Sequence, residues 1–186
     1  MWRWLWLLLL LWLTGCASTP VVLVPTAKVD AFVLTGRIAV QQGDKRQSAG
    51  LRWTHRAQSD TVDLLTPLGS TAARIYRDAQ HATLQREQQV QAADTLEGLM
   101  QQVLGWYLPL TGLQDWVLAR PMPGVAAEAS RNASGQVDTL LQNGWRIRYS
   151  RYPNTQAEAL PIRMQLEYQD LRVTLLLDEW VWNPVE

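Results

Sequence analysis

Reactive and strongly charged side chains are scarce in this chain. Its 186 residues include one cysteine, two histidines and a single phenylalanine. Lysine and arginine together number 17, as do aspartate and glutamate, so the formal net charge is zero. Proteins that grip nucleic-acid phosphates carry a basic excess, so this composition argues against a nucleic-acid partner. Hydrophobic residues make up 47% of the chain, which suffices for a packed core and argues against disorder.

Sequence motifs for catalysis or cofactor binding are missing as well. The chain contains no phosphate-binding loop, no dinucleotide glycine fingerprint and no GxSxG elbow. His55 and His81 do not form a metal-type pair, and we expect each to be solvated or locally hydrogen-bonded. Asp178 and Glu179 are adjacent, but neighbours in a strand point to opposite faces. The sequence therefore predicts a protein that is not an enzyme and that uses no metal and no cofactor.

The first 16 residues have the pattern of a bacterial lipoprotein export signal. One basic residue precedes an apolar run, Trp4–Leu13, which is shorter than the roughly 20 residues that a membrane-spanning helix needs. Leu13 to Cys16 resembles a lipobox, in which cleavage before the cysteine is followed by its acylation. Cys16 has no second cysteine to pair with. We expect a signal peptide over residues 1–15 and lipidation at Cys16, and the alternative is an unused cysteine.

Residues 16–30 are expected to be an acylated N-terminus followed by a tether. Pro20 and Pro25 lie among small and branched residues, a composition typical of an extended linker. Ala17 follows the cysteine where aspartate would favour retention at the inner membrane. We therefore expect the chain to be anchored by lipid in the outer membrane and to face the periplasm.

From residue 31 onward, hydrophobic residues recur at every second position, the period of a β-strand. Leu34, Ile38 and Val40 share one face of a predicted strand. Asn143-Gly144 is a strong hairpin signal before Trp145. About ten or eleven short strands are predicted, mostly antiparallel, and a sheet with one apolar face must curl around something. The fold class is therefore mainly β with a helical insert (α+β), built on one strongly curved antiparallel sheet.

The periodicity becomes helical over residues 94–118. Asp94 is expected to cap a helix that carries Glu97 in its first turn and ends at Gly105. A second short helix is predicted around Trp116. We expect this insert to lie with its apolar face across the concave side of the sheet, as a lid, within a single domain over residues 31–186.

Aromatic and methionine side chains are the remaining candidates for a binding surface. Ten tryptophans are present. Among those beyond residue 30, Trp53 and Trp145 fall on predicted apolar strand faces, and Trp106 and Trp116 fall in the insert. Periodicity alone favours an ordinary core over a ligand-lining role for them. The candidate lining residues are Trp53, Met100, Trp106, Trp116, Trp145, Tyr149 and Met164.

Short segments along nearly the whole chain resemble the LolB family of outer-membrane lipoprotein receptors, in that family's order. These segments are Leu13 to Cys16, Thr35-Gly36-Arg37, Leu51-Arg52-Trp53, Pro67-Leu68-Gly69-Ser70, Gly105-Trp106 with Leu108-Pro109-Leu110, Gln114-Asp115-Trp116, Asn143-Gly144-Trp145 with Tyr149, Leu160-Pro161 and Asp178-Glu179-Trp180.

The resemblance implies an incomplete β-barrel covered by helices and enclosing a hydrophobic cavity for acyl chains. It further implies a monomer that accepts acylated lipoprotein clients from the periplasmic carrier LolA and inserts them among the phospholipids of the outer membrane's inner leaflet, without nucleotide hydrolysis. The family's protruding membrane-insertion residue falls on Leu68. The turn pattern alone would instead make Leu68 a core residue. A structural or other lipid-binding envelope lipoprotein without transfer activity is the alternative.

Overall fold

The computed structural model of the protein describes residues 31–184. Eleven strands in this range form a single sheet. The strands are β1 (Ala31–Gln42), β2 (Lys45–Arg56), β3 (Ser59–Leu65), β4 (Thr71–Arg77), β5 (Ala82–Arg86), β6 (Gln89–Ala93), β7 (Ala127–Arg131), β8 (Val137–Gln142), β9 (Trp145–Arg151), β10 (Arg163–Tyr168) and β11 (Leu171–Trp182).

The sheet is antiparallel throughout and does not close. Its strand order is β6-β5-β4-β3-β2-β1-β11-β10-β9-β8-β7. The first and last strands pair at the centre, with Phe32 opposite Trp182 and Gln42 opposite Leu171. Because β6 and β7 stand at the two edges, the sheet has the form of an incomplete barrel, and the predicted fold class is confirmed.

Two helices connect the two edge strands of the sheet. Helix α1 (Leu96–Leu104) packs against β5 and β6, and helix α2 (Leu110–Trp116) precedes β7. Gly105 ends α1 in a left-handed conformation, as predicted. The predicted cap at Asp94 is wrong, because the extended residue before α1 is Thr95, and no side chain caps this end. Neither helix reaches the length and hydropathy of a membrane span, a finding that covers residues 31–184.

Strand alternation places one continuous apolar face beneath the helices. On β1, Phe32 and Leu34 are fully buried, whereas Arg37 and Ala39 are exposed. Val173 and Leu175 of β11 continue the same buried face. The hydrophobic core joins this face of the sheet to the apolar residues of both helices, as expected for a sheet that must bury one side.

Gly36 is required where the central strands approach each other closely. The register between β1 and β11 shifts between Thr35 and Gly36, which marks a β-bulge. A Cβ atom at Gly36 would lie 2.0 Å from the backbone oxygen of Leu176. No other residue type fits this approach without backbone movement, which gives Thr35-Gly36-Arg37 a structural reason.

Candidate functional site

All seven candidate lining residues lie in the core between the sheet and the helices. Their exposed fractions range from 0% for Trp116 and Met164 to 6% for Trp106. Trp53, Trp145, Tyr149 and Met164 belong to strands. Met100 lies on α1, Trp106 in the link between the helices, and Trp116 at the end of α2. The predicted set is therefore buried together, with contributions from both layers.

Trp116 and Trp145 form the centre of an aromatic cluster where α2 meets the sheet. Their ring centroids are 5.9 Å apart. Trp145 also stacks on Tyr168 at 5.1 Å and meets Tyr107 edge-on at 6.5 Å. Such offset and edge-to-face pairs add to the stabilisation that burial provides.

Hydrogen bonds hold α2 on strands β8 and β9. The Trp116 indole Nε1–H donates to Oε1 of Gln142 at 2.8 Å. The Tyr149 hydroxyl donates to the Trp116 carbonyl at 2.8 Å. Burial raises the pKa of Tyr149 well above its ordinary value, so the hydroxyl stays protonated and remains a donor. Met164, opposite Tyr149 in the sheet, completes this side of the core.

Trp53 belongs to a different environment, a buried polar cluster on β2, β3 and β4. Its Nε1–H donates to Oδ1 of Asp60 at 2.8 Å, and Nδ1 of His55 lies 2.8 Å from the same oxygen. Arg77 forms an ion pair with the other carboxylate oxygen. We call Trp53, His55, Asp60 and Arg77 the Asp60 cluster.

Electrostatics keep Asp60 ionised although it is fully buried. Burial raises the pKa of Asp60, but hydrogen bonds from His55, Arg77 and Trp53 outweigh burial and hold the pKa below its ordinary value. Sequence analysis did not predict this cluster. One sequence feature could have pointed to it: Trp53 and His55 are two residues apart and share a strand face. The second feature, the pairing of His55 with Asp60, is seen only in the strand register.

A second buried carboxylate lies on the insert. Asp115 of α2 is 3% exposed, and its Oδ1 accepts a hydrogen bond from Nε of Arg120 at 2.7 Å. Burial raises the pKa of Asp115, and the charges of Arg120 and His55 act in the opposite direction.

Trp106 is the candidate whose polar atom is not satisfied. Its Nε1–H is buried and has no hydrogen-bond partner among the described residues. The residue follows Gly105 directly, at the junction of the two helices. A buried donor without a partner costs about 1–3 kcal/mol, so the core is less well satisfied at this junction than at Trp53 or Trp116.

Leu68 lies at the tip of the turn between β3 and β4. It is 96% exposed. The turn is closed by a bond from the Thr66 N–H to the Ser70 carbonyl at 2.8 Å. The reading of Leu68 as a core residue is therefore wrong, and its membrane role stays a prediction. Cys16, the predicted lipidation site, the signal peptide and the tether lie outside the described residues.

Two open clefts lie on the surface, and only one of them is lined by a candidate residue. A cleft of about 410 Å³ at the β8–β9 turn includes Trp145 and Gln142 in its lining. A mainly apolar cleft of about 240 Å³ includes Leu65, Pro67 and Leu176, at the base of the Leu68 turn. Across residues 31–184, no group of three metal-ligating side chains comes together.

Comparison with known proteins identifies the family. The sequence pattern of the family described as outer membrane lipoprotein LolB matches residues 30–180. The chain belongs to the LolB family. It is 36% identical over 193 residues to the outer-membrane lipoprotein LolB of Nitrosomonas europaea, covering 95% of this chain and 91% of that protein. A LolB of an Azoarcus species is 35% identical over 150 residues, covering 80% and 77% of the two chains.

A solved structure supports the fold independently. The crystal structure of a LolA superfamily protein from Nitrosomonas europaea matches with a TM-score of 0.51 at 10% identity, covering 86% of this chain and 89% of that chain. At that identity the likeness concerns the fold alone. Membership of the LolB family confirms the family prediction and makes this chain an outer-membrane lipoprotein.

Proposed function

We propose that this LolB-family protein receives lipoproteins from the periplasmic carrier LolA and inserts them into the inner leaflet of the outer membrane. The supporting observation is the burial of the candidate residues between an open sheet and a helical insert that connects the sheet's two edges. In this proposal Cys16 carries the lipid anchor, residues 16–30 are the tether, and residues 31–186 form the single binding domain.

Acyl chains need such a protein because water excludes them. A client with three chains exposes on the order of 40 methylenes, which corresponds to roughly 30 kcal/mol at ~0.8 kcal/mol per methylene. Any protein surface that replaces part of that water contact lowers the barrier to crossing the periplasm. Direction then comes from the difference in affinity between carrier, receptor and bilayer, and no nucleotide is needed.

Acyl chains enter the core, in this proposal, when the insert moves away from the sheet. The candidates are almost fully buried in one hydrophobic core, so movement of the insert would open a path for the chains. The insert suits this role because α1 has no side-chain cap and the buried Trp106 N–H has no partner within residues 31–184. Met100, Trp106, Trp116, Trp145, Tyr149 and Met164 then line the opened site, with Trp53 at its border.

The release step uses Leu68. An apolar side chain that is 96% exposed at the tip of a closed turn can enter a membrane surface without disturbing the core. Leu68→Glu is expected to leave acyl binding intact and to stop insertion of the client into vesicles. Leu68→Met is the matched control and should insert normally. Loss of binding and insertion together in Leu68→Glu would contradict this role.

The overall proposal is tested by transfer. LolA loaded with a radiolabelled lipoprotein is mixed with this protein, and the label is followed by affinity separation. We expect the label to move to this protein and then, when vesicles are added, to the vesicles. Retention of all label on LolA would refute the receptor function.

A structural envelope lipoprotein is the second candidate, and the near-complete burial of the candidate residues favours it. Such a protein would have no space for acyl chains under any condition. A fluorescent fatty-acid probe distinguishes the two functions, because the receptor should bind it saturably. Absence of binding would favour the structural role.

A further inference from the structure

The end of β11 carries two aromatic side chains that are not fully buried: Trp180 is half-buried against the core, and Trp182 is exposed. Trp180 and Trp182 stack at 4.9 Å with their rings only 7° from parallel. Trp182 is 43% exposed and Val181 is 46% exposed. We call Trp180 and Trp182, which share one face of β11, the aromatic platform. Val181 lies between them in the strand and points to the opposite face, so a probe there reports the depth of this strand end without replacing an indole.

The platform rests on a rigid base. Phe32 is fully buried, and its ring meets Trp180 edge-on at 5.2 Å and Trp182 at 6.2 Å. The strand register places Phe32 directly opposite Trp182. The two indoles are therefore held in position by the centre of the sheet, not by a loose terminus.

Their polar atoms are available for a partner outside the protein. Neither indole N–H is hydrogen-bonded to another described residue, whereas the N–H groups of Trp53 and Trp116 are. Tryptophan with a free N–H and a large apolar ring prefers the boundary between lipid headgroups and hydrocarbon. A membrane interface satisfies both parts of the side chain.

Ala31, the first residue of β1, lies next to the end of β11. The Asn183 N–H donates to the Ala31 carbonyl at 3.2 Å, so β1 starts beside the platform. Residues 17–30 separate Ala31 from Cys16, and fully extended they span at most about 50 Å. An anchor at Cys16 therefore limits this end of the sheet to within about 50 Å of the bilayer.

We propose that the aromatic platform inserts into the interfacial layer of the anchoring membrane, as a second contact beside the lipid. This inference rests on the lipid anchor of the proposed function. The platform and Leu68 lie at opposite ends of the strands. Ala31, beside the platform, pairs with Arg56, and Arg56 pairs with Ser59 at the start of β3. The Leu68 turn follows the other end of β3. The two apolar contacts thus leave the sheet at different strand ends.

Site-directed spin labelling tests the proposal on the full lipidated protein. Acylation occupies Cys16, the sole natural cysteine, so Val181→Cys supplies a single free thiol for a nitroxide. The protein is reconstituted in phosphatidylethanolamine–phosphatidylglycerol vesicles, and collision with oxygen is compared with collision with a water-soluble nickel complex. Val90→Cys, at a position that is 62% exposed on the edge strand β6, is the matched control.

At position 181 we expect the nitroxide to collide more often with oxygen than with the nickel complex. At position 90 we expect the opposite order. Replacing Trp180 and Trp182 by alanine should abolish the difference between the two positions, and Trp182→Phe should preserve it. Equal nickel accessibility at both positions would overturn the proposal. Protection of position 181 from both reagents would also overturn it, because this strand end would then be covered by protein.

The same preparation separates this proposal from the function on which it depends. Unacylated Cys16 would appear as a second labelled thiol and as protein that does not stay on the vesicles, which refutes the anchor. A stably anchored protein that delivers clients normally but keeps position 181 in water refutes the platform alone.

Discussion

The Asp60 cluster and the helical insert are both buried, yet they satisfy their polar groups very differently. In the cluster, the two oxygens of Asp60 receive the Trp53 N–H, His55 and Arg77. In the insert, α1 lacks a side-chain cap, and the Trp106 N–H has no partner in residues 31–184. The cluster is fixed by charge and hydrogen bonds. Within the insert, α2 is hydrogen-bonded to the sheet through Trp116, whereas α1 and the link at Trp106 are held mainly by apolar contact.

This difference assigns separate tasks to the two regions. Charged hydrogen bonds in a dry interior fix a single geometry and are costly to break. Apolar contacts are non-directional, so a layer held by them can be exchanged for another apolar partner. The cluster keeps β2, β3 and β4 in register, whereas the insert can give up its place to an acyl chain.

Among these variants, Asp60→Ala should cause the largest loss in free energy of unfolding. Removing the carboxylate leaves Arg77 without its counter-charge and leaves the Trp53 N–H and His55 without their shared hydrogen-bond partner, and breaking such a pair costs about 3–5 kcal/mol. The free energy of unfolding in urea measures the loss. Asp178→Ala is the control, because Asp178 and its partner Arg37 are 44% and 63% exposed, and its cost should stay below about 1 kcal/mol. Similar losses in both variants would contradict the special role of the cluster.

Two matched substitutions compare the tryptophans directly. Trp53→Phe and Trp106→Phe remove the same ring volume, but only the first removes a hydrogen bond from a buried carboxylate. The second removes a donor that already lacks a partner. Trp106→Phe should therefore cost less free energy of unfolding than Trp53→Phe, by about 2 kcal/mol. Equal costs in urea titrations would mean that the Trp106 N–H is satisfied in solution.

The smallest expected effect is a difference in pH dependence. The pKa of Asp60 is lowered, so its stabilisation is present above the unfolded value of about 3.9 and is lost as the pH falls through the folded value. The pKa of Asp115 is raised, so its contribution is full at pH below about 3.9 and is lost as the pH rises through the folded value. The two carboxylates thus change stability in opposite directions on acidification.

Urea titrations between pH 7 and pH 4 separate the Asp115 contribution. Wild type should gain stability relative to Asp115→Asn as the pH falls, because protonation relieves the burial of that carboxylate. A difference between the two proteins that does not change with pH would show that Asp115 has the same pKa in both states.

Much of the sheet is predictable from periodicity, because alternation on one buried face is a strong local signal. The inward positions of Trp53, Trp145 and Tyr149 and the helical period of the insert follow from it. Strand β7 (Ala127–Arg131) is not predictable in this way. Its sequence Ala-Glu-Ala-Ser-Arg has little hydrophobic alternation, and its pairing with β8 alone makes it a strand.

The positions of Asp60 and Leu68 could not be predicted from hydrophobic periodicity alone. Asp60 lies in the polar stretch 58–61 and would be placed at the surface, and only pairing across β2, β3 and β4 explains its burial. Leu68 shows the reverse case, since hydrophobicity favoured the core whereas the closed turn exposes it. The family resemblance implied a protruding residue at this position, and Leu68 is exposed, whereas its membrane role stays a prediction.

The central claim, that acyl chains occupy the core beneath the insert, is tested most directly by photo-crosslinking. A lipopeptide with diazirine groups in its acyl chains is bound to the protein, irradiated, and its adducts are located by mass spectrometry. We predict adducts on the interior candidates Met100, Trp106, Trp116, Trp145, Tyr149 and Met164. Adducts confined to the outer cleft around Leu65, Pro67 and Leu176, with the interior unlabelled, would contradict the claim.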